Sequence, residues 1–183
     1  GQRHPPDTLA ALAGRVGMLV VDESFADVAP ELSLAPLAPI ENLLILRSFG
    51  KFYGLAGLRL GFAIGPRALL DRLAAAAGPW AVSGPALAAG TVALADAGWA
   101  AATRERLHRE AGRLDALAAA AGWRNVGGTA LFRLYRVDDA AAARAALAEA
   151  RIWSRIFDDR PGLIRLGPPG PEAEWTRLAA ALG

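Results

Sequence analysis

Four side chains along the sequence are of the right types to do chemistry together: Asp22, Ser48, Lys51 and Arg59. Lys51 stands out first, as the only lysine among 20 lysine and arginine residues. A guanidinium stays charged in any protein setting, whereas a lysine amine can lose its proton and attack an electrophile. Lys51 lies in the glycine-rich stretch SFGKFYGLAGLRLGF (48–62), which begins at Ser48 and includes Arg59. The bland alternative is a solvated surface lysine. Two motif readings fail on their remaining positions. Ser48-Phe49-Gly50-Lys51 matches the S-x-x-K of a lysine-activated serine nucleophile, but the accompanying K-T-G needs a second lysine. A G-x-x-x-x-G-K-[ST] phosphate loop needs glycine and a hydroxyl residue where Ile45 and Phe52 stand.

The remaining chemistry is condensation of the Lys51 amine with an aldehyde cofactor, above all pyridoxal phosphate. Such a cofactor asks for an acid opposite its pyridine nitrogen and for groups that hold its phosphate. Asp22 can pair with the pyridinium and so keep the ring a good electron acceptor. Ser48 and Arg59 can bind the phosphate, Arg59 as a charge-assisted donor. Taken alone, Asp22 would also suit a helix cap or a metal carboxylate.

The elements that must position these groups are readable from apolar pattern. VGMLVVDES (16–24) predicts a buried parallel strand that delivers Asp22 to its C-terminal edge, where ligands bind in open α/β sheets. NLLILRSFGK (42–51) predicts a second buried strand and LRLGFAIG (58–65) a third, with a loop carrying Pro30, Pro36 and Pro39 between the first two. A short helix over 7–15 precedes them. Helices over 66–77, 85–96 and 98–121 follow, the last with Trp99, Leu107, Leu114 and Leu117 along one stripe and Gly122 as its stop. Residues 129–137, 152–157 and 163–167 predict strands, with helices over 138–150 and 171–182. The expected organisation is an α/β portion over 1–97, its sheet mostly parallel and incomplete, and a small α+β portion over 98–183.

Composition narrows the function classes. The 183 residues carry a formal net charge of +2, and the densest charged run, TRERLHREAGR (103–113), mixes both signs at helical spacing. That pattern is a solvated helix face and argues against nucleic acid. With no cysteine and only His4 and His108, neither a disulfide framework nor a metal site is expected. Apolar runs break well short of a membrane span, and a cytoplasmic setting is the default expectation.

Ser48 to Gly61 resembles the lysine signature of the class I/II aminotransferase family of fold-type-I pyridoxal-phosphate enzymes. Val21-Asp22-Glu23-Ser24-Phe25 resembles that family's Asp-Glu-Ala-Tyr segment. The resemblance implies that Lys51 carries pyridoxal 5'-phosphate and later moves protons, that Asp22 pairs the ring nitrogen, and that Ser48 and Arg59 hold the phosphate. Phe25 stands where aminotransferases usually carry a tyrosine, which favours decarboxylation. GPWAVSGPALAAG (78–90) is similar to the decarboxylase branch, with Trp80 and Ser83 toward the substrate. Arg165 in Leu-Ile-Arg-Leu-Gly matches a small-domain arginine for a substrate carboxylate or phosphate, and Arg155 is the candidate for a second anion. Tyr53 would reach toward a dimer mate. The implied activity is decarboxylation of L-threonine O-3-phosphate to (R)-1-aminopropan-2-ol O-phosphate in cobalamin biosynthesis. The alternatives are amino transfer on a histidinol-phosphate-type substrate and a non-catalytic remnant. The implied partners are a phosphorylated amino acid and, in a longer form, a second copy of the chain. Family members are roughly twice as long, so an upstream part is expected, and the chain alone is expected to bind cofactor weakly.

Overall fold

A computed structural model describes residues 2–38 and 40–183. Pro39, assigned to a loop above, lies outside the described residues. The chain divides into two compact units, Arg3–Ala97 and Gly98–Gly183.

The first unit opens with helix α1 (Pro6–Ala13), with Pro6 in the first turn, where its missing N–H costs nothing. The Asn42 side-chain amide closes its far end by donating to the carbonyls of Ala13 and Val16, at 2.5 and 2.7 Å. Strands β1 (Leu19–Asp22), β2 (Leu43–Ser48) and β3 (Gly61–Ile64) form a sheet in that order. β1 and β2 are parallel, and β2 and β3 antiparallel. The sheet is therefore mixed, where a mostly parallel one was expected. The connection over 49–60 contains only a short 3-10 turn (Ala56–Leu58) and no crossover helix, so β3 returns antiparallel.

Burial along β1 alternates instead of running continuously, and Val20 is exposed. An edge strand pairs on one side only, so an apolar run alone did not dictate full burial there. Leu34, Leu43 and Ile45 form the core beside β2, with Leu9, Leu19, Val21 and Ile64 packed on them. A second cluster joins Phe49, Leu60 and Ala86. Helices α2 (Arg67–Ala77) and α3 (Gly84–Ala95) complete the unit. Gly90 allows α3 to lie against Leu60, since a Cβ there would come within 2.5 Å of Leu60 Cδ2.

The second unit holds most of helix α4 (Ala97–Ala120), then β4 (Arg124–Thr129), β5 (Phe132–Arg136), α5 (Ala140–Glu149), β6 (Arg155–Ile156), β7 (Leu163–Leu166) and α6 (Glu172–Leu182). Its sheet is antiparallel throughout, in the order β4-β5-β7-β6. Leu114, Tyr135, Leu147, Ile164, Trp175 and Leu178 form its core, while Trp99 stays exposed. β4 was not predicted. Its Gly127 and Gly128 sit at φ 153° and 138°, and a Cβ on Gly128 would lie 2.4 Å from the Phe132 carbonyl. Those glycines give the strand the close turn into β5 while erasing its apolar alternation.

Asp115 on α4 ties that helix to the sheet. It receives two bonds from Arg133 at 2.9 and 2.7 Å, one from the Tyr135 hydroxyl at 2.7 Å and one from the Asn125 amide at 2.7 Å. Burial, and then Asp115 itself, hold the Tyr135 phenol protonated far above its ordinary range. Among the described residues no helix is long and apolar enough to cross a membrane.

Candidate active site

Asp22 is the last residue of β1 and pairs in register with Leu46 of β2. Two residues further along β2, Ser48 ends that strand, and the bend that follows carries Lys51. The two strands run the same way, so acid and amine leave the sheet at the same C-terminal edge. The parallel pairing is what converts a long sequence separation into one edge.

Each side chain has a defined local state. Asp22 is exposed, and its Oδ1 accepts from the Ser24 backbone N–H at 2.9 Å and the Ser24 hydroxyl at 2.5 Å. That is a local turn bond, which orients the carboxylate without capping a helix. The Ser48 hydroxyl oxygen accepts from the Gly50 N–H at 3.0 Å, which leaves its own proton to donate. Lys51 is exposed, and its Nζ lies 5.6 Å from the centre of the Phe25 ring. A cation over an aromatic face is favoured there. Arg59 holds a left-handed backbone conformation, φ 52° and ψ 37°, and its guanidinium donates to the Ala56 carbonyl at 3.2 Å. Phe49 N–H donates to the Leu60 carbonyl and Ser48 pairs with Gly61, so the Arg59 turn abuts the end of β2.

Behind these groups lies a cluster that sequence reasoning missed. Glu23 and Asp27 are buried, each 5% exposed. Arg47 bridges them, with Nη1 3.1 Å from Glu23 Oε2 and Nη2 on the Asp27 carboxylate. Ser33 donates to Glu23 Oε2 at 2.6 Å, and the Leu34 N–H donates to Oε1 at 2.6 Å. The signal was present in the sequence: an arginine inside the apolar strand LLILRS demands a buried partner, and Glu23 and Asp27 are acids beside the same strand end.

Other candidates have local roles. Ser83 caps α3 by accepting from the Ala86 N–H at 3.3 Å, and Trp80 is 91% exposed. Tyr53 packs on Phe49 and Phe52, with ring centres 4.7 and 5.1 Å apart. A cavity of about 310 Å³ is lined by Ser48, Arg47 and Asp27 with Phe49, Tyr53 and Phe62, and it touches neither Lys51 nor Asp22.

In the second unit, Arg165 and Arg155 face each other across the β6–β7 pair. Burial, and then the Arg155 charge, push Arg165 down from its ordinary 12.5. Arg165 lies 4.9 Å from the Phe132 ring centre and lines a cavity of about 350 Å³ with Phe157 and Arg160. Neighbouring positive charges of this kind favour a nearby anion.

The chain is similar to known proteins along most of its length. Over 94% of its length the chain is 46% identical to a threonine-phosphate decarboxylase of Pseudomonas aeruginosa, and it covers 52% of that protein. It is 44% identical over its full length to a Sinorhizobium protein of the same name, covering 56% of it. A histidinol-phosphate aminotransferase of Sinorhizobium meliloti, solved with pyridoxal-5'-phosphate, superposes on all of the chain with a TM-score of 0.83 at 25% identity, over 53% of that protein. The chain thus spans about half the length of these relatives. The family model for aminotransferase class I and II matches residues 1–182, and the chain belongs to that family.

Proposed function

We propose that the chain is the lysine-bearing and small-domain part of a pyridoxal-phosphate-dependent decarboxylase acting on L-threonine O-3-phosphate. The observation that carries the reading is the shared strand edge, with Asp22 ending β1 and Lys51 on the bend after β2, the two strands being parallel. The donor set fits the cofactor: an exposed acid for a ring nitrogen, an exposed amine for an aldehyde, and a hydroxyl with a guanidinium for a phosphate. When bound, pyridoxal phosphate supplies an aldehyde for the substrate amine and an electron sink for the bond broken at Cα. Asp22 would pair with the protonated ring nitrogen, and Ser48 and Arg59 would hold the phosphate. Lys51 would deliver to Cα the proton that takes the place of the departing CO₂, and protonation at that carbon separates decarboxylation from amino transfer. Phe25 packs beside the Lys51 ammonium and offers no hydroxyl to compete for protons. Arg165 is the candidate for a substrate carboxylate or phosphate, and Arg155 for a second anion.

The finer proposals are residues 1–97 as the second part of a cofactor-binding domain, a cytoplasmic homodimer, and a place in the aminopropanol arm of cobalamin synthesis. Support for the substrate is the identity to decarboxylases along nearly the whole chain. The likeness to a histidinol-phosphate aminotransferase keeps amino transfer as the second reading, because both chemistries use the same Lys51, Asp22 and phosphate groups.

The test is chemical. The protein is incubated with pyridoxal phosphate, reduced with borohydride and mapped by mass spectrometry. Label at Lys51, absent from Lys51→Ala, is the expected result; label confined to the α-amine would sink the cofactor reading. Product analysis then separates the two activities: CO₂ released from threonine phosphate supports decarboxylation, and amino transfer to 2-oxoglutarate supports the second reading.

A further inference from the structure

The backbone ladder between β1 and β2 stops at the Glu23 N–H, which donates to the Leu46 carbonyl at 2.8 Å. β3 pairs with β2 from Ile45 on, and beyond Leu46 it is β2's only strand partner among the described residues, Arg47 with Phe62 and Ser48 with Gly61. Among the described residues no strand pairing joins the Lys51 bend to the Asp22 segment. One guanidinium links the end of β2 to that segment. Arg47 Nη1 reaches Glu23 Oε2 at 3.1 Å and the Ser33 hydroxyl at 3.2 Å, while Nη2 takes the Asp27 carboxylate. Ser33 in turn accepts from the Ala35 N–H at 3.1 Å. Charge-assisted bonds of this kind are short and directional, and in a buried setting they hold geometry tightly.

Phe25 sits between the two clamped acids. Glu23 and Asp27 flank it at equal distance along the chain, and both are anchored to Arg47, which lies just before the Lys51 bend. The Phe25 ring then meets Lys51 Nζ at 5.6 Å. Arg47, its two acids, Phe25 and Lys51 thus form a ring of covalent and non-covalent links that includes the proposed reacting amine.

We infer that Arg47 is a positioning residue, whose clamp on Glu23 and Asp27 sets where the Lys51 amine stands relative to Phe25 and Asp22. Its purpose rests on the pyridoxal-phosphate reading above, and its geometry does not. A purely structural ion cluster would stabilise the unit and leave the amine's surroundings unchanged when altered.

The single lysine makes the test direct. Reductive methylation with ¹³C-formaldehyde gives one lysine signal by NMR, distinct from the α-amine. In the unaltered chain the Phe25 ring displaces that signal, and Phe25→Leu serves as the control that removes the displacement. In Arg47→Gln the signal moves to the position of a solvated lysine, and in Ser33→Ala it moves part of the way, with far-UV circular dichroism retained. Borohydride-trapped labelling of Lys51 by pyridoxal phosphate slows about tenfold in Arg47→Gln, while reaction with formaldehyde does not. An unmoved Lys51 signal in both variants, with only a lower melting temperature, overturns the inference. Should Arg47→Gln fail to fold, Ser33→Ala decides alone. If pyridoxal phosphate labels no variant and not the unaltered chain, the cofactor reading fails, and the NMR displacement still decides the positioning.

Discussion

Arg59 occupies a backbone conformation that glycine or asparagine adopts more easily, with φ at 52°. A left-handed residue with a Cβ costs roughly 1–2 kcal/mol relative to a relaxed one. Such strain persists where a side chain is needed in one place, which here is the proposed phosphate contact. Arg59→Asn is therefore expected to keep or raise stability by up to about 1 kcal/mol. The same change lowers the affinity for pyridoxal phosphate and leaves that for unphosphorylated pyridoxal nearly unchanged; equal losses for both ligands would remove Arg59 from the phosphate site. At this scale Lys51, Asp22, Ser48 and Arg59 could be proposed from the sequence because residue type and local order suggest their chemistry. The Arg47 clamp left one sign, an arginine in an apolar strand, but its partners were not legible. Its pairs span 14 to 24 positions, and finding them requires the β1–β2 register.

The joint between α4 and its sheet rests on Asp115 at the level of elements. Burial alone would raise this carboxyl, but hydrogen bonds from Arg133, Tyr135 and Asn125, with the Arg133 charge, outweigh it and hold the pKa below the ordinary 3.8. A carboxyl lowered on folding contributes stability in full above its unfolded pKa, and that contribution is lost as pH falls through the folded value. The second unit should thus weaken progressively from about pH 4 downward. Asp115→Asn should cost about 1 kcal/mol at neutral pH and flatten the acid slope. Urea melts at pH 7, 4 and 3 measure both, and an unchanged slope in the variant would assign acid loss elsewhere. Strand and helix types were readable where an apolar period survived, as in α4 and β2. In β4 the Gly-Gly pair removed it, and of the stretch 152–157 only Arg155–Ile156 pairs, against β7.

Among the described residues the sheet of the first unit has three strands, and β1 and β3 each pair on one side. Val20 and Phe62 are 54% and 40% exposed on those strands, and Leu87, Val92 and Leu94 are exposed along α3. Open strand edges beside apolar side chains are templates for association. Light scattering across a concentration series should show self-association of the purified chain, and a strict monomer at high concentration would refute this. The expectation of an incomplete sheet followed from strand count alone. How much apolar surface this leaves open depended on packing that no sequence window contains.

One further consequence follows from the lone lysine. A protease that cuts only after lysine has one site in this chain, between Lys51 and the buried Phe52, at the bend that leaves β2. Cleavage there needs the bend to open and the ammonium to be unmodified. The rate at which the intact band disappears on a gel is therefore a clock for the site, running fast when the bend breathes and stopping when the amine is engaged.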